Sequence, residues 1–219
     1  MKTSFKIAAV LGSSLAVLLA GCAQGPSVAE LNVLTDQVVK SSFRDESYVK
    51  VERITATDET NRLCSAADVA GKPLDEATAK RIEAVNLKAI QWPADGKFLG
   101  DWKKGEAIAQ SGRGLTWTDK ATDVNGGNCY NCHQITQEEI SYGTIGPSLY
   151  HYGKIRGVTD PNSAAAKPIV EYTWGKIWNA KAYNACSNMP RAGHMGILNQ
   201  EQVRHIVALL LDPQSPVNK

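Results

Sequence analysis

Histidine and methionine are scarce in this chain of 219 residues. It has four histidines and three methionines, and one of the methionines is Met1. Only Met189 and Met195 remain as internal thioether donors. A basic tract is also missing. Lys and Arg number 24 against 22 Asp and Glu, a net charge of +2, so nucleic acid is not an expected partner. There is no internal repeat and no low-complexity tract, which sets aside solenoids and disordered arrays. The longest apolar run, "IAAVLGSSLAVLLA" from Ile7 to Ala20, is too short and too rich in Ser and Gly to span a bilayer. What is present is an ordinary globular composition, 43% hydrophobic and 21% charged. It suffices for one good-sized domain, or one domain plus an extension.

Lys2 and Lys6 precede the apolar run, which ends in "LAGC". A basic n-region, a short apolar stretch and small residues mark an export signal. Small residues directly before a cysteine resemble the lipobox of bacterial lipoproteins. The resemblance implies that residues 1–21 are a signal peptide and that Cys22 is acylated on its thiol and amine. Ordinary cleavage nearby is the alternative, and both readings export the chain. Loss of residues 1–21 removes two lysines and no acid, leaving a net charge of zero. Ala23 follows Cys22 where inner-membrane retention is associated with aspartate, which points to the outer membrane. The expected location is the periplasm, with membrane contact only through the lipid.

Residues 22–100 carry no obvious chemistry and read as an N-terminal extension. Leu31, Leu34 and Val38 make a weak helical stripe. "GKPLDEATAKRIEAVNLKAI" is a stronger helix. Pro73 suits its first turn, Asp75 and Glu76 its positive end and Lys88 its negative end, and Ile82, Val85 and Ala89 supply its apolar face. Residues 101–219 read as a separate all-α domain. "DWKKGEAIAQSG" is a helix with Asp101 as N-cap and Gly112 as stop. Gly105 shares a face with Ile108 and Ala109 there and admits a close backbone neighbour. Ile169 to Ala180 forms another helix, with Trp174 and Trp178. In "NQEQVRHIVALLLDP" Asn199 and Gln202 match a capping box, Val203, Ile206, Val207 and Leu210 form the buried face, and Pro213 ends the helix.

"GGNCYNCHQI", residues 126–135, carries the chemistry. Zinc is disfavoured because structural sites take four protein ligands, and the other cysteines are isolated. A redox CxxC expects a preceding strand, whereas a Gly/Asn loop precedes this one. Bare thiols at Cys129 and Cys132 would be reactive in an oxidising compartment. Covalent haem fits best. Two thiols on one turn can form thioethers to the two vinyl groups, and His133 then faces the iron as proximal ligand. Candidates for the sixth position are His151, Met189, His194, Met195 and His205. His205 reads as a surface or partly buried helix residue, and His151 as a packing or hydrogen-bonding group. Met189 is favoured because Pro190 stiffens its loop. Gap-filling in the core is the alternative for both methionines.

A helix, then CxxCH, then a methionine loop and a closing helix make an order similar to class I cytochromes c. In that family the first and last helices cross at small residues, here Gly105 and Ala109. "IGPSL" resembles the family's GPxL turn. The resemblance implies that the Pro147 carbonyl accepts the proximal imidazole N–H, that Leu149 lies against the ring, and that one haem c is held covalently. Such a bond would orient His133 and tune the iron, and a methionine partner favours a high potential.

"ADGKFLGDWKKGEAIAQSGRGLTW", "GGNCYNCHQI", "YGTIGPSLYHYGKIRG", "AYNACSNMPRAGH" and "LLLDPQSPVN" together resemble the SoxX family over about residues 40–218. These are the monohaem subunits of SoxAX cytochromes in thiosulfate oxidation. Ala192 departs from the pattern, which has an aromatic residue after "MPR". The resemblance implies three partners: a SoxA-like haem subunit that performs the sulfur chemistry, a SoxYZ-like carrier protein whose cysteine takes up thiosulfate, and a downstream acceptor cytochrome. This chain would accept the electrons of an L-cysteine S-thiosulfotransferase and supply no catalytic residue of its own. The alternative is a free-standing periplasmic electron-transfer cytochrome. Cys64 and Cys186 are left over, and leftover thiols in an oxidising compartment pair. Two buried free thiols remain the alternative, since spacing does not establish a bridge.

Overall fold

The computed structural model describes residues 25–46, 49–139 and 141–219. The signal segment 1–21 and Cys22 lie outside them. Among the described residues the chain forms helices and no strand. In order they are α1 Val28–Ser42, α2 Glu52–Thr55, α3 Glu59–Val69, α4 Glu76–Lys88, α5 Trp102–Gln110, α6 Tyr152–Ile155, α7 Lys167–Trp178 and α8 Gln200–Leu211. Short 3-10 turns fall at Cys129–Asn131, Ala180–Ala182 and Pro216–Asn218. No described helix is long and apolar enough to cross a membrane.

The chain divides into two units between Arg44 and Asp45. The first contains α1, opened by a full capping box between Ser27 and Glu30. Its stripe residues Leu31, Leu34 and Val38 remain exposed. The second unit, residues 45–219, holds everything else, so residue 100 falls inside it.

Helix α8 is the centre of the second unit. Asn199 accepts from the Gln202 N–H while the Gln202 side chain accepts from the Asn199 N–H. Two orphan donors of the first turn are thereby satisfied. Val203, Val207, Leu209 and Leu211 are almost wholly buried, with α8 against α5, α6 and α7. Asp101 caps α5 by accepting from the Lys103 N–H, and its own N–H donates to His205 Nδ1 at 2.8 Å. His205 is thus buried and spent on packing α5 to α8, deeper than its sequence position implied.

The crossing of α5 and α8 depends on Gly105. A Cβ there would sit 2.1 Å from the His205 carbonyl oxygen and 3.0 Å from Leu209 Cβ. Helix α5 ends at Gln110, and its cap Ser111 is extended, so Gly112 follows the end without the left-handed turn of a glycine stop. The carbonyls of Ile108 and Ser111 accept from the Gly127 and Asn128 N–H groups at 2.8 and 2.9 Å. The end of α5 therefore seats the segment that leads into Cys129.

The stretch 58–100 is sewn into the same core. Helix α4 begins at Glu76 behind its cap Asp75, which leaves Pro73 outside the helix. Its buried face is Ile82 and Asn86, whereas Val85 is 58% exposed. Asn86 belongs inside because its amide donates to Thr60 Oγ1 and Ile82 O and its Oδ1 accepts from Asn179 Nδ2 at 3.0 Å. Trp174, fully buried, donates its indole N–H to Gln91 O.

Replacing Gly105 by Ala tests the crossing. Alanine favours an isolated helix by about 1 kcal/mol, but the atom it meets is backbone and cannot rotate away. Overpacking of this kind costs about 1–3 kcal/mol. We expect Gly105→Ala to lower the unfolding free energy in a denaturant titration despite its better helix propensity.

Candidate haem site

Cys129 and Cys132 carry free thiols on one tight turn. The Cys132 and His133 N–H groups both donate to Cys129 O, at 3.1 and 3.0 Å. The turn is entered through Asn128 in the left-handed region, φ 48°. This places the two sulfurs and the imidazole in one local structure, hung from the end of α5. Burial, and then the neighbouring Cys132, push the Cys129 thiol up to about 11. A thiolate is therefore disfavoured in this apolar corner, whereas a thioether, with no proton to lose, suits it. No group of three His, Cys, Asp or Glu side chains able to hold a metal ion occurs among the described residues. The motif thus lacks the further donors a zinc site needs.

The segment 146–149 runs beside residues 132–134. Gly146 N–H donates to Cys132 O at 2.8 Å and Leu149 N–H to Gln134 O at 2.7 Å. His133 Nδ1–H donates to Pro147 O at 2.6 Å. That bond places the ring proton on Nδ1 and leaves the Nε2 lone pair free for a metal. Gly146 is obligatory beside it, because a Cβ would lie 2.2–2.7 Å from three atoms of the His133 ring. Leu149 is half-buried against the core.

The five candidates for the sixth position separate clearly. His151 donates from Nε2 to the backbone oxygen of Lys219 at 2.7 Å and stacks on Tyr150. His205 Nδ1 is occupied by the Asp101 N–H. His194 is exposed, and Met195 is 58% exposed. Met189 is half-buried and packs on the hydrophobic core.

The loop around Met189 is tied down on both sides. Cys186 is bridged to Cys64 of α3, with S–S 2.11 Å and Cα–Cα 5.4 Å. Arg191, buried, pairs with Asp58, the N-cap of α3. The Ala185 N–H donates to Glu83 Oε1 of α4 at 3.2 Å. Burial works against the charge on Asp58, but the Asn61 N–H and the Arg191 guanidinium together hold its carboxyl below the usual range. Gly193 presses on Trp178, where a Cβ would come within 2.3 Å of the indole. Ala192 is half-buried, and its carbonyl accepts from the Ile197 and Leu198 N–H groups.

Sequence reasoning missed four of these residues. Asp58 and Arg191 look like ordinary surface charges in the sequence. Gly146 was visible as part of the GPxL turn, but the reason for glycine was not. Trp178 was assigned to a helix and to nothing else. Its Nε1–H is buried with no hydrogen-bond partner, an arrangement that buried donors rarely tolerate. Free thiols on one turn, a metal-ready Nε2 and a half-buried thioether form a donor set that fits haem c.

Comparison with known proteins agrees with the geometry. Residues 103–212 match the cytochrome c family. The chain is also 36% identical over 183 residues to a protein of Aquifex aeolicus (strain VF5) named as an uncharacterized lipoprotein, covering 82% of this chain and 81% of that one. The chain belongs to the cytochrome c family, as an electron-transfer protein carrying covalently bound haem c.

Proposed function

We propose that this cytochrome is the electron-accepting subunit of a periplasmic SoxAX-type L-cysteine S-thiosulfotransferase, anchored by lipid on Cys22. The joint run of motifs from "ADGKFLGDWKKGEAIAQSG" to "LLLDPQSPVN" carries the reading. An extension covalently tied to the methionine loop supports it, because a subunit of a stable complex uses surface that a small shuttle lacks. The lipoprotein relative from Aquifex aeolicus supports the anchor, as does the "LAGC" sequence before residue 23.

In the overall reaction the outer sulfur of thiosulfate joins the cysteine sulfur of a SoxYZ-like carrier. One S–S bond forms, the thiol proton leaves, and two electrons are released. With Cys129 and Cys132 in thioethers and Cys64 and Cys186 bridged, no described cysteine is free to bear sulfur. Sulfur transfer is therefore assigned to a SoxA-like partner, and onward electrons to an acceptor cytochrome.

Haem c supplies a one-electron iron couple. Cys129 and Cys132 would hold it through thioethers. His133 would offer Nε2 to the iron, kept in that tautomer and orientation by Pro147 O. Met189 would offer its sulfur, and Pro190 and the ties of its loop would keep that sulfur in place. Leu149 and the core residues would shield the ring from water.

Three outcomes test this assignment. The double variant Cys129→Ala, Cys132→Ala should yield protein without haem resistant to acid–acetone extraction, and haem retained after extraction would refute attachment there. Met189→Ala should abolish the near-infrared sulfur-to-iron band of the oxidised protein and lower its potential, while Met195→Ala should leave both in place. Purification from native membranes should bring down a second haem-bearing chain in fixed stoichiometry, and only the pair should couple thiosulfate to a carrier thiol. A monomeric cytochrome in that preparation would instead establish a free-standing electron carrier.

A further inference from the structure

Helix α3 has no part in holding haem by the assignments above, yet it grips the methionine loop twice. Asp58, at its N-cap, uses Oδ1 to accept from the Asn61 N–H at 2.8 Å and Oδ2 to pair with Arg191. Cys64, in the second turn, is bonded to Cys186. The two grips fall three residues before and two residues after Met189. Between them the loop has few ties of its own. The Met189 N–H donates to Ser187 Oγ at 3.2 Å, and Pro190 has no N–H to offer. Arg191 has only 6% of its side chain exposed, so losing its carboxylate would leave a buried charge unpaired.

We propose that Asp58 and the Cys64–Cys186 bridge are positioning groups for Met189, so that α3 sets how readily the thioether yields to another ligand. The inference rests on the reading of Met189 as distal ligand. A loop free to swing would release a weak neutral donor such as a thioether. An outside ligand binds only when the loop is open, so its apparent affinity scales with the open fraction. Fastening the loop to α3 on both sides keeps that fraction small. The extension thereby acquires a function in the electron-transfer chemistry.

The test uses the oxidised holoprotein titrated with imidazole, alongside the near-infrared sulfur-to-iron band. Asp58→Asn retains a good helix cap and removes the charge that pairs Arg191. Cys64→Ala with Cys186→Ala removes the bridge. Glu59→Gln is the control. It breaks the Glu59–Arg81 pair between α3 and α4 without touching the loop. We expect imidazole affinity to rise about tenfold or more in the first two proteins and to stay at the wild-type value in the control. Wild-type affinity in either Asp58→Asn or the bridge variant would overturn the proposal, as would a lowered unfolding midpoint with unchanged affinity. Asp58→Asn keeps its cap, so its affinity decides alone should the bridge variant fail to accumulate. Met189→Ala separates the two assignments. If it binds imidazole no more tightly than wild type and keeps the band, the ligand assignment fails, whatever the other variants do.

Discussion

The near-contact of Gly105 with the His205 carbonyl is the constraint on which the rest of the second unit depends. At that distance the two helices touch backbone to backbone, and only a residue without a side chain permits it. The Cys129–His133 turn is hung from this crossing. The C-terminal end of α5 holds the Gly127 and Asn128 N–H groups, and thereby the Cys129–His133 turn. The start of α8 follows the methionine loop by a few residues and is capped by Asn199. The proximal and distal candidates thus leave from the two arms of one rigid crossing.

Loops alone could not hold a metal-ligand geometry, and each arm shows a separate remedy. On the proximal side the remedy is local. The segment of residues 146–149 lies along residues 132–134, and one hydrogen bond to Pro147 O fixes both the tautomer and the tilt of His133. On the distal side the methionine loop is longer and has no such neighbour in sequence. Its supports come from more than 90 residues away in the chain: Asp58, Cys64 and Glu83. A bridge closing so long a loop contributes about 4–5 kcal/mol in the chain-entropy account.

Legibility in the sequence followed the kind of force involved. The bounds of helix α8 could be read because their signals are local, an Asn–Gln capping box and a stopping proline, but burial reaches beyond the periodic face to His205, Leu209 and Leu211. Asp101 was equally legible as the cap of α5. Helix α4 was legible as a helix but not in its facing. Periodicity nominated Ile82 and Val85, yet beside Ile82 the inward residue is Asn86, which is buried because its amide finds partners at Thr60 and Asn179 on two other segments and at Ile82 O on its own helix. Apolar periodicity cannot register a polar side chain that is satisfied by tertiary bonds. Pro73 misled in the same way, since Asp75 starts the helix with a side-chain bond that outweighs the proline signal. At the site, the CxxCH turn and the GPxL turn are contiguous motifs and could be read directly. The Asp58–Arg191 pair, separated by 133 residues, has no counterpart in any local pattern.

The sixth position shows how structure narrows what composition leaves open. Five side chains qualify by chemistry, and a ligand must also be free of other obligations. His205 and His151 are each committed to a hydrogen bond elsewhere, to Asp101 N–H and to Lys219 O. His194 and Met195 are exposed. Met189 alone among the five packs on the core with no polar partner to its sulfur. A thioether buried in this way gains little from the protein beyond dispersion contacts, so its sulfur remains free to serve as a donor. His205 and His151 thus hold a helix crossing and a chain end together, and Met189 is the candidate whose donor atom packs on the core without another commitment.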